Sequence, residues 1–289
     1  DPNGIFIGLT GTPILETVQD ENGKKHSKPK RDFKTTDLFC KYIHKYYYNK
    51  SIADGYTLKI KKENIDTQFR NDLRGMLGIP DGKQIPAKKW EDVTKSEEYV
   101  EQLCKYIVDD FANFEDVQND ESMGFMVVAS SSEQARMIQA WFENNTDIAT
   151  ALVLYDEDDN KAKQELFRGK RNVETGEMEI KYKGVIVFNM LLTGFDAPRL
   201  KRLYLLRTIR EHNLLQTLAR VNRPYKSMRY GYVVDFVDIT EEYEETNRRY
   251  LEELRNDIAD EEGRADVEDM FVDVTEVRKK IVELENLLF

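Results

Sequence analysis

The stretch GFMVVASSSEQARMIQAWF, residues 124–142, decides the fold of this chain. Its first six residues form a continuous apolar run, which predicts a strand buried on both faces. Ser131 and Gln134 follow with the spacing of a helix capping box. Four apolar residues then recur at helical spacing: Ala135, Ile138, Trp141 and Phe142. The stretch therefore predicts a strand over 124–129 and a helix over 130–142.

The same alternation continues on both sides of this stretch. Strands are predicted over 148–155, 184–189, 202–207 and 231–237, and helices over 160–170 and 211–223. Upstream, the sequence predicts a strand over 5–9, a turn at Asp54 and Gly55 before an alternating strand over 56–60, and an amphipathic helix over 96–115. Apolar strands that alternate with helices predict an α/β fold with a mainly parallel sheet. Ligands of such sheets sit at the carboxyl ends of the strands, and the candidate residues follow predicted strands.

The charge of the chain is concentrated at one end. The formal net charge is −11, and residues 241–289 alone hold 17 acidic and 7 basic side chains. The other 240 residues are nearly neutral, so a local basic groove for nucleic acid is not excluded. Two apolar stripes in residues 241–289 predict a helical extension that packs on a neighbouring domain.

Several classes of protein and site are not expected from the composition. Cys40 and Cys104 lie far apart and are expected to be reduced thiols, as in a cytoplasmic protein. Three scattered histidines and the absence of a paired cysteine motif argue against a metal site. No apolar run approaches the length of a membrane span, and the start of the chain does not resemble a secretion signal.

The segment HNLLQTLARVNRP, residues 212–224, is the most informative candidate site. On a helix, Gln216, Arg220 and Arg223 share one face, while Leu214, Leu218 and Val221 share the opposite face, and Pro224 ends the helix. Two fixed guanidiniums suit a triphosphate, because their forked donors match phosphate oxygens. The alternative is an ordinary solvated helix face.

A second candidate is LLTGFDAP, residues 191–198, directly after a predicted strand. Gly194 permits a tight turn with exposed amides, and Thr193 offers a hydroxyl, so the pair could hold a nucleic-acid phosphate. Asp196 could accept hydrogen bonds from a ribose hydroxyl or from a neighbouring arginine. The alternative is a simple turn that Asp196 caps.

Two weaker candidates also follow predicted strands. Thr10, Gly11 and Thr12, which precede Pro13, could contact phosphate or link two lobes, but such turns are common. The second is a run of three hydroxyl residues at a helix start, which suits a backbone phosphate or serves only as a helix cap: Ser130, Ser131 and Ser132.

Taken together, these four segments resemble the later motifs of superfamily 2 helicases in their order and spacing. TGTP at 10–13 looks like motif III, residues 127–132 resemble motif IV, residues 193–198 motif V and residues 216–223 motif VI, with Ala219 where many helicases have glycine. The strings LLTGFDAP and QTLARVNRPY, with KYIHKYYYNKSIADGYTL upstream, are similar to the motor subunit of type I restriction enzymes. The resemblance covers most of residues 1–240.

This resemblance implies a specific architecture and a specific set of site residues. The fold would be a RecA-like lobe, with ATP bound between it and a first lobe. Arg220 and Arg223 would reach the nucleotide, with Arg223 the arginine finger, and Gln216 would position phosphates. Asp196 would couple nucleotide state to DNA grip. The residues that would hold the DNA backbone are Ser130, Ser131, Ser132, Thr193 and Gly194.

The resemblance also implies what the chain lacks. The sequence has no GxxxxGK[ST] and no Asp-Glu-x-His motif, so the phosphate loop and the magnesium-binding acids of the family are missing. ATP and Mg²⁺ would belong to the full-length subunit, and the isolated chain is expected to bind neither and to be inactive. The implied partners are double-stranded DNA, the first lobe, a nuclease domain, and modification and specificity subunits, in a bacterial or archaeal cytoplasm.

The predicted division of the chain follows from these motifs. Residues 1–13 would end the first lobe, with lobe coupling at Thr10, Gly11 and Thr12. Residues 14–115 would form a connecting α+β region, residues 116–240 the second lobe and residues 241–289 the acidic helical extension. Two alternatives remain open: the second lobe of another superfamily 2 motor, such as an RNA helicase or a remodeller, and a non-enzymatic module whose arginines bind an acidic partner.

Overall fold

A parallel sheet forms the centre of the molecule in this computed structural model, which describes residues 48–65, 93–171, 178–192, 194–237 and 271–273, with isolated positions elsewhere. Within these ranges the strands are β1 (Lys59–Asn64), β2 (Gly124–Val128), β3 (Thr150–Val153), β4 (Lys170–Arg171), β5 (Met178–Glu179), β6 (Gly184–Val187), β7 (Leu200–Leu205), β8 (Tyr230–Asp235) and β9 (Phe271–Asp273). Seven of them form the sheet in the order β3-β6-β2-β7-β8-β1-β9, and every pair is parallel. β4 and β5 form a separate antiparallel pair. The predicted α/β class is confirmed.

Helices cover both faces of the sheet. They are α1 (Tyr48–Ala53), α2 (Glu97–Gln118), α3 (Ser132–Asn145), α4 (Asn160–Arg168) and α5 (Glu211–Leu218). Phe125 and Val127 of β2 share one hydrophobic cluster with α2 and α3. Their neighbours Met126 and Val128 point the other way and pack with α5 and with Phe167 of α4. Because alternate residues of one strand enter two cores, the strand has to be apolar throughout, as its sequence indicated.

The capping signals place α2 and α3 close to their predicted positions. The hydroxyl of Ser96 accepts from the amide of Tyr99 at 3.2 Å and begins α2, which ends at Asn119 in the left-handed conformation with φ 50°. Ser131 Oγ accepts from the Gln134 amide at 3.0 Å and begins α3. Only one half of the predicted capping box forms, because the Gln134 side chain accepts from the amide of Ser130 rather than from that of Ser131.

The predicted strand over 56–60 is displaced by three residues. The amides of Tyr56 and Thr57 both donate to the carbonyl of Ser51, at 2.9 and 3.2 Å, and so close the end of α1 instead of entering the sheet. The ladder of β1 begins only at Lys59. The turn predicted at Asp54 and Gly55 is present, and Gly55 has φ 78°.

The sheet reaches beyond the residues that the sequence divided off as the second lobe. β1 lies between β8 and β9, although residues 59–64 were placed in the connecting region. β9 comes from the predicted helical extension and falls between its two apolar stripes. The remainder of that extension, apart from single positions, lies outside the described residues, as do the predicted strand over 5–9 and the segment 10–13. No helix in the described ranges is long and apolar enough to cross a membrane.

One edge of the sheet is closed by side chains. Among the described strands β3 is the last on its side, so within this part of the chain its outward carbonyls have no neighbouring strand. Gln139 Nε2 donates to the Thr150 carbonyl and Lys163 Nζ to the Leu152 carbonyl, each at 3.1 Å. Helices α3 and α4 thus supply the hydrogen bonds that a further strand would have made.

Candidate functional site

The two candidate arginines lie on a turn after α5, at residues 219–224, here called the arginine turn. The sequence predicted a helix over 211–223, but α5 ends at Leu218. The amides of Arg220 and Val221 donate to carbonyls three residues back, at 3.0 and 3.2 Å, so the last turn tightens and then stops. Pro224 has no amide to donate and disfavours helical backbone at Arg223. The prediction that Gln216, Arg220 and Arg223 share one helix face is therefore wrong.

The carbonyl groups of the arginine turn are held from inside the molecule. Lys201 Nζ donates to the carbonyl of Val221 at 3.2 Å and to that of Arg223. The amide of Leu58 donates to the Asn222 carbonyl at 2.6 Å. A Cβ at Gly231 would overlap the Val221 carbonyl, so only glycine fits there. Three consecutive carbonyls are thus fixed by groups on β7 and before β1, against β8.

These contacts place the arginine turn at the amino-terminal edge of the sheet. Lys201 and Gly231 are the second residues of β7 and β8, and Leu58 comes just before β1. A crossover helix runs back from the end of one parallel strand to the start of the next, so its far end returns to the amino edge. The expectation that candidate residues gather at the carboxyl ends of the strands is wrong for this turn.

Arg220 points into the protein. Its side chain is buried, with the residue 8% exposed, and its guanidinium donates to the carbonyl of Phe195 through Nη1 and to that of Gln216 through Nε at 2.9 Å. Phe195 belongs to the segment 191–198, here called the glycine loop. Arg220 therefore joins the arginine turn to the glycine loop.

Arg223 points outward beside the glycine loop. Its side chain is 43% exposed, and its Nε lies 3.5 Å from Asp196 Oδ1, so the two side chains form an ion pair that is exposed to solvent. Among the described residues the Arg223 guanidinium has no hydrogen-bonded acceptor for Nε. The Arg223 guanidinium can donate hydrogen bonds to an anionic ligand, since it is exposed beside an exposed carboxylate. The backbone of the turn would not have to move, because its carbonyls are already held from below.

The glycine loop alternates between anchored and exposed residues. Phe195 and Ala197 are buried, and the Phe195 ring lies 5.9 Å from that of Phe167. Gly194, just before Phe195, and Asp196, between Phe195 and Ala197, are exposed, and Gly194 has φ 73°, a conformation that favours glycine. Thr193 lies outside the described residues. The loop brings Asp196 to Arg223, the neighbouring arginine that the sequence suggested as one possible partner.

The three serines form a separate turn at the opposite edge of the sheet. This serine turn, residues 130–132, follows the carboxyl end of β2. Ser131 is used as the helix cap, and Gln134, fully buried, binds the Ser130 amide at 2.8 Å and the Thr94 carbonyl at 2.8 Å. Ser130 and Ser132, on either side of the cap, are partly exposed.

Three buried cations lie on or beside β7, and the sequence did not single them out; of these, only Lys201 binds the arginine turn. Arg199, Lys201 and Arg202 are all buried. Arg199 donates to four main-chain carbonyls, those of Ser122, Met123, Phe167 and Tyr182. Arg202 pairs with Asp110 at 2.6 Å and Glu63 at 2.7 Å. The signal available in the sequence was RLKR at the start of an otherwise apolar strand.

Lys201 differs from these two arginines because it titrates near neutral pH. Burial, together with the smaller effect of the nearby Arg223 guanidinium, lowers the pKa of Lys201 from 10.5 to about 7. A neutral amine still has two N–H donors, which equals the number of carbonyls that Lys201 binds. The hydrogen bonds to the arginine turn are therefore possible on both sides of its titration.

A metal centre finds no support in the described part of the chain, which contains no cluster of three or more histidine, cysteine or acidic residues able to hold an ion. Cys104 is buried, and burial raises its thiol pKa, so it is a poor ligand and nucleophile. The arginine turn and the glycine loop can therefore recognise an anion through the Arg223 guanidinium and the exposed backbone at Gly194, while the serine turn at the opposite edge offers the partly exposed residues Ser130 and Ser132.

Comparison with known proteins gives a consistent assignment. Residues 88–238 match the family model of type I restriction enzyme subunit R domain 3, and residues 2–76 match that of SWI2/SNF2 ATPase. A protein assigned as the endonuclease subunit of type I restriction enzyme MjaIXP, from Methanocaldococcus jannaschii, is 26% identical over 89% of this chain and 25% of its own length. The type I restriction enzyme HindI endonuclease subunit of Haemophilus influenzae is 26% identical over 86% of this chain and 24% of its own length.

A solved structure supports the fold. A fragment assigned to an HsdR subunit of a type I restriction enzyme from Vibrio vulnificus YJ016 superposes with a TM-score of 0.51 at 18% identity, covering 76% of this chain and 38% of that one. The chain itself spans about a quarter of the length of the two curated relatives.

Proposed function

The chain belongs to the family of type I restriction enzyme subunit R domain 3, and from this premise we propose that it acts as the second RecA-like lobe of an ATP-dependent double-stranded DNA translocase. In this role the lobe completes a nucleotide site whose phosphate loop lies on a first lobe. The SWI2/SNF2 match over residues 2–76 is in keeping with a motor of this class. The longer match favours the restriction enzyme over an RNA helicase or a remodeller.

The position of Arg223 is the observation that carries this proposal. Its guanidinium is half exposed beside Asp196, while Arg220 is buried and binds main-chain carbonyls. Arg223 is therefore the arginine finger, which neutralises charge on the transferred phosphoryl group. Arg220 acts through the glycine loop, which it holds against the turn. Asp196 and Gln216 complete the nucleotide-facing set.

The DNA backbone would be held at the glycine loop and the serine turn. Gly194 is exposed, and Ser130 and Ser132 offer hydroxyls, whereas the hydroxyl oxygen of Ser131 already caps α3. Glu133 in the first turn of α3 opposes an anion there, and Lys95 lies 3.8 Å from its carboxylate and offsets part of that charge. Thr193 completes the set predicted from sequence.

The remaining parts of the machine would come from outside this chain. ATP with Mg²⁺ supplies the phosphoryl group to be cleaved, and Arg223 fits its phosphates, whereas no described cluster fits the metal. Thr10, Gly11 and Thr12 would couple the lobes. A nuclease domain and the modification and specificity subunits would complete the enzyme, and we expect the isolated chain to hydrolyse no ATP.

The test is DNA-stimulated ATP hydrolysis by the full-length subunit that carries this sequence. Arg223→Ala is expected to lower kcat about 10³-fold or more, because an arginine finger is worth roughly 10³ to 10⁵ in turnover, while ATP binding is largely kept. The matched control is Arg136→Ala, since the Arg136 side chain is also 43% exposed and forms its ion pairs on the surface of α3.

Unchanged turnover in Arg223→Ala would overturn the proposed role. In that case the non-enzymatic alternative, in which the arginines bind an acidic partner, becomes the better account. That alternative predicts that charge reversal at Arg220 and Arg223 abolishes partner binding and leaves ATP turnover intact. A comparison of double-stranded DNA with RNA as the stimulating polymer separates the DNA translocase from an RNA helicase.

A further inference from the structure

A fully buried lysine lies beneath the arginine turn. Lys201 is 0% exposed, and no carboxylate in the described residues forms an ion pair with it. Its ammonium group instead binds the carbonyls of Val221 and Arg223. Burial of a cation that lacks an anionic partner opposes folding, so the position serves some purpose that an apolar residue does not.

The contacts of Lys201 fix the backbone on both sides of Asn222. The Val221 carbonyl is confined between Lys201 and the Cα of Gly231, and the Asn222 carbonyl is bound by the Leu58 amide. The Arg223 carbonyl, the last before Pro224, is bound by Lys201 again. With three successive peptide planes fixed, the direction in which the Arg223 side chain leaves the backbone is fixed as well.

We propose that Lys201 is a positioning residue for the arginine turn: by binding the carbonyls on both sides of Asn222, it aims the Arg223 guanidinium past Asp196 toward the nucleotide. The proposal rests on the function proposed above. Lys201 itself touches no substrate, because it lies inside the sheet and under the turn. It acts only through the geometry of Arg223.

A purely structural role makes a different prediction from a positioning role. If Lys201 only satisfied buried carbonyls, its loss would lower stability and leave the turnover of the folded enzyme unchanged. If it aims Arg223, its loss lowers kcat even where the enzyme is fully folded. A displacement of about 1 Å at a catalytic group costs on the order of 10²-fold in rate.

The experiment compares Lys201→Met with Arg199→Met in the full-length subunit. Methionine keeps much of the lysine volume and removes the donors. Arg199 is the matched control, because it is another buried cation bound to main-chain carbonyls, none of which belongs to the arginine turn. DNA-stimulated ATP turnover is measured at a temperature where circular dichroism shows every variant folded. Lys201→Met is expected to lose about 10²-fold in kcat with KM for ATP nearly unchanged, and Arg199→Met to keep its kcat.

Two further variants keep the test informative if Lys201→Met does not fold. Gly231→Ala displaces the Val221 carbonyl from the other side with Lys201 intact, and the same loss of kcat is expected. The double variant Lys201→Met with Arg223→Ala should be no slower than Arg223→Ala alone, because a positioning residue has no effect once the group it positions is absent.

The outcomes separate this inference from the proposed function. If Arg223→Ala loses turnover while Lys201→Met and Gly231→Ala keep it, the positioning role is overturned and the proposed function stands. An equal loss in Lys201→Met and Arg199→Met also overturns it, since the loss would then follow stability. If Arg223→Ala keeps its turnover, the proposed function fails, and the positioning role fails with it.

Discussion

The serine turn and the arginine turn lie at opposite edges of one sheet, and side chains of opposite hydrogen-bonding character hold them in place. The serine turn is held by neutral groups, the Ser131 hydroxyl and the Gln134 amide, and it presents hydroxyls at a helix start. The arginine turn is held by a buried cation that binds its carbonyls, and it presents a guanidinium. The comparison shows that the backbone groups of each turn determine which side chain can hold it. Backbone N–H groups at a helix start need an oxygen acceptor, whereas buried backbone carbonyls need a buried donor.

The largest expected effect on stability tests the inward and outward arginines of the arginine turn against each other. Arg220→Met leaves the carbonyls of Phe195 and Gln216 without their charged donor, so the free energy of unfolding should fall by about 3 kcal/mol. Arg223→Met should change it by less than about 0.5 kcal/mol, as is usual for surface positions. Chemical denaturation of this chain, followed by circular dichroism, measures both. Equal losses of stability would contradict the assignment of a structural role to Arg220 and of a ligand-facing role to Arg223.

The next prediction uses pH to distinguish the titratable Lys201, which holds the arginine turn, from the neutral Gln134, which holds the serine turn. The pKa of Lys201 is lower in the folded state than in the unfolded chain, so between about pH 7 and 10.5 the unfolded state binds more protons. The free energy of unfolding should therefore rise with pH, by about 1.5 kcal/mol between pH 7 and 8.5. Burial raises the pKa of Cys104, which acts in the opposite direction above about pH 8.5, so the lower window is the informative one. Denaturant titrations at several pH values should show this rise in the wild type and not in Lys201→Met, whereas Gln134→Leu should keep it.

A smaller effect is expected at the cap of the serine turn. Ser131→Ala removes the hydroxyl that accepts a hydrogen bond from the backbone N–H of Gln134, so the free energy of unfolding should fall by about 1 kcal/mol. Ser132→Ala, one residue into the helix, should be close to neutral, within about 0.5 kcal/mol. Thermal denaturation of the two variants side by side provides the measurement. A larger loss for Ser132→Ala would show that the cap has been assigned to the wrong hydroxyl.

The smallest effect concerns DNA. Ser132→Ala in the full-length subunit should weaken binding of a double-stranded oligonucleotide about fivefold, because one hydrogen bond to phosphate is worth about 1 kcal/mol. ATP turnover at saturating DNA should stay at the wild-type level. Fluorescence anisotropy at fixed salt measures the affinity, and an unchanged affinity would remove Ser132 from the DNA-binding set.

The regular elements were predictable because they depend on local periodicity. The strand and helix over 124–142 were expected from spacing alone, and both form: the strand begins at the predicted residue, and the other three ends move by one to three residues. The end of α5 was not predictable in this way. Residues 219–223 continue the helical pattern, but the carbonyls of residues 221–223 bind Lys201 and the Leu58 amide, which are distant in sequence, so the chain leaves the helix before Pro224.

The sequence singled out three residues that the fold brings together, but it did not predict their arrangement. Motif spacing identified Arg220, Arg223 and Asp196, which the fold brings together at one edge of the sheet. Their division into a buried and an exposed arginine follows from the path of the glycine loop, which no local pattern encodes. Lys201 was missed because a charged residue in a strand ordinarily indicates an exposed position, and its acceptors lie 20 and 22 residues later.

The closed edge at β3 bears on how this chain behaves at high concentration. A bare edge strand is a template for pairing with another chain, and such pairing leads to aggregation. Here Gln139 and Lys163 occupy the carbonyls of Thr150 and Leu152, so an approaching strand finds its acceptors already taken. At this edge of the described sheet, the hydrogen bonds that oppose pairing with another strand thus come from two side chains on helices rather than from the strand itself, whose apolar sequence gives no sign of them.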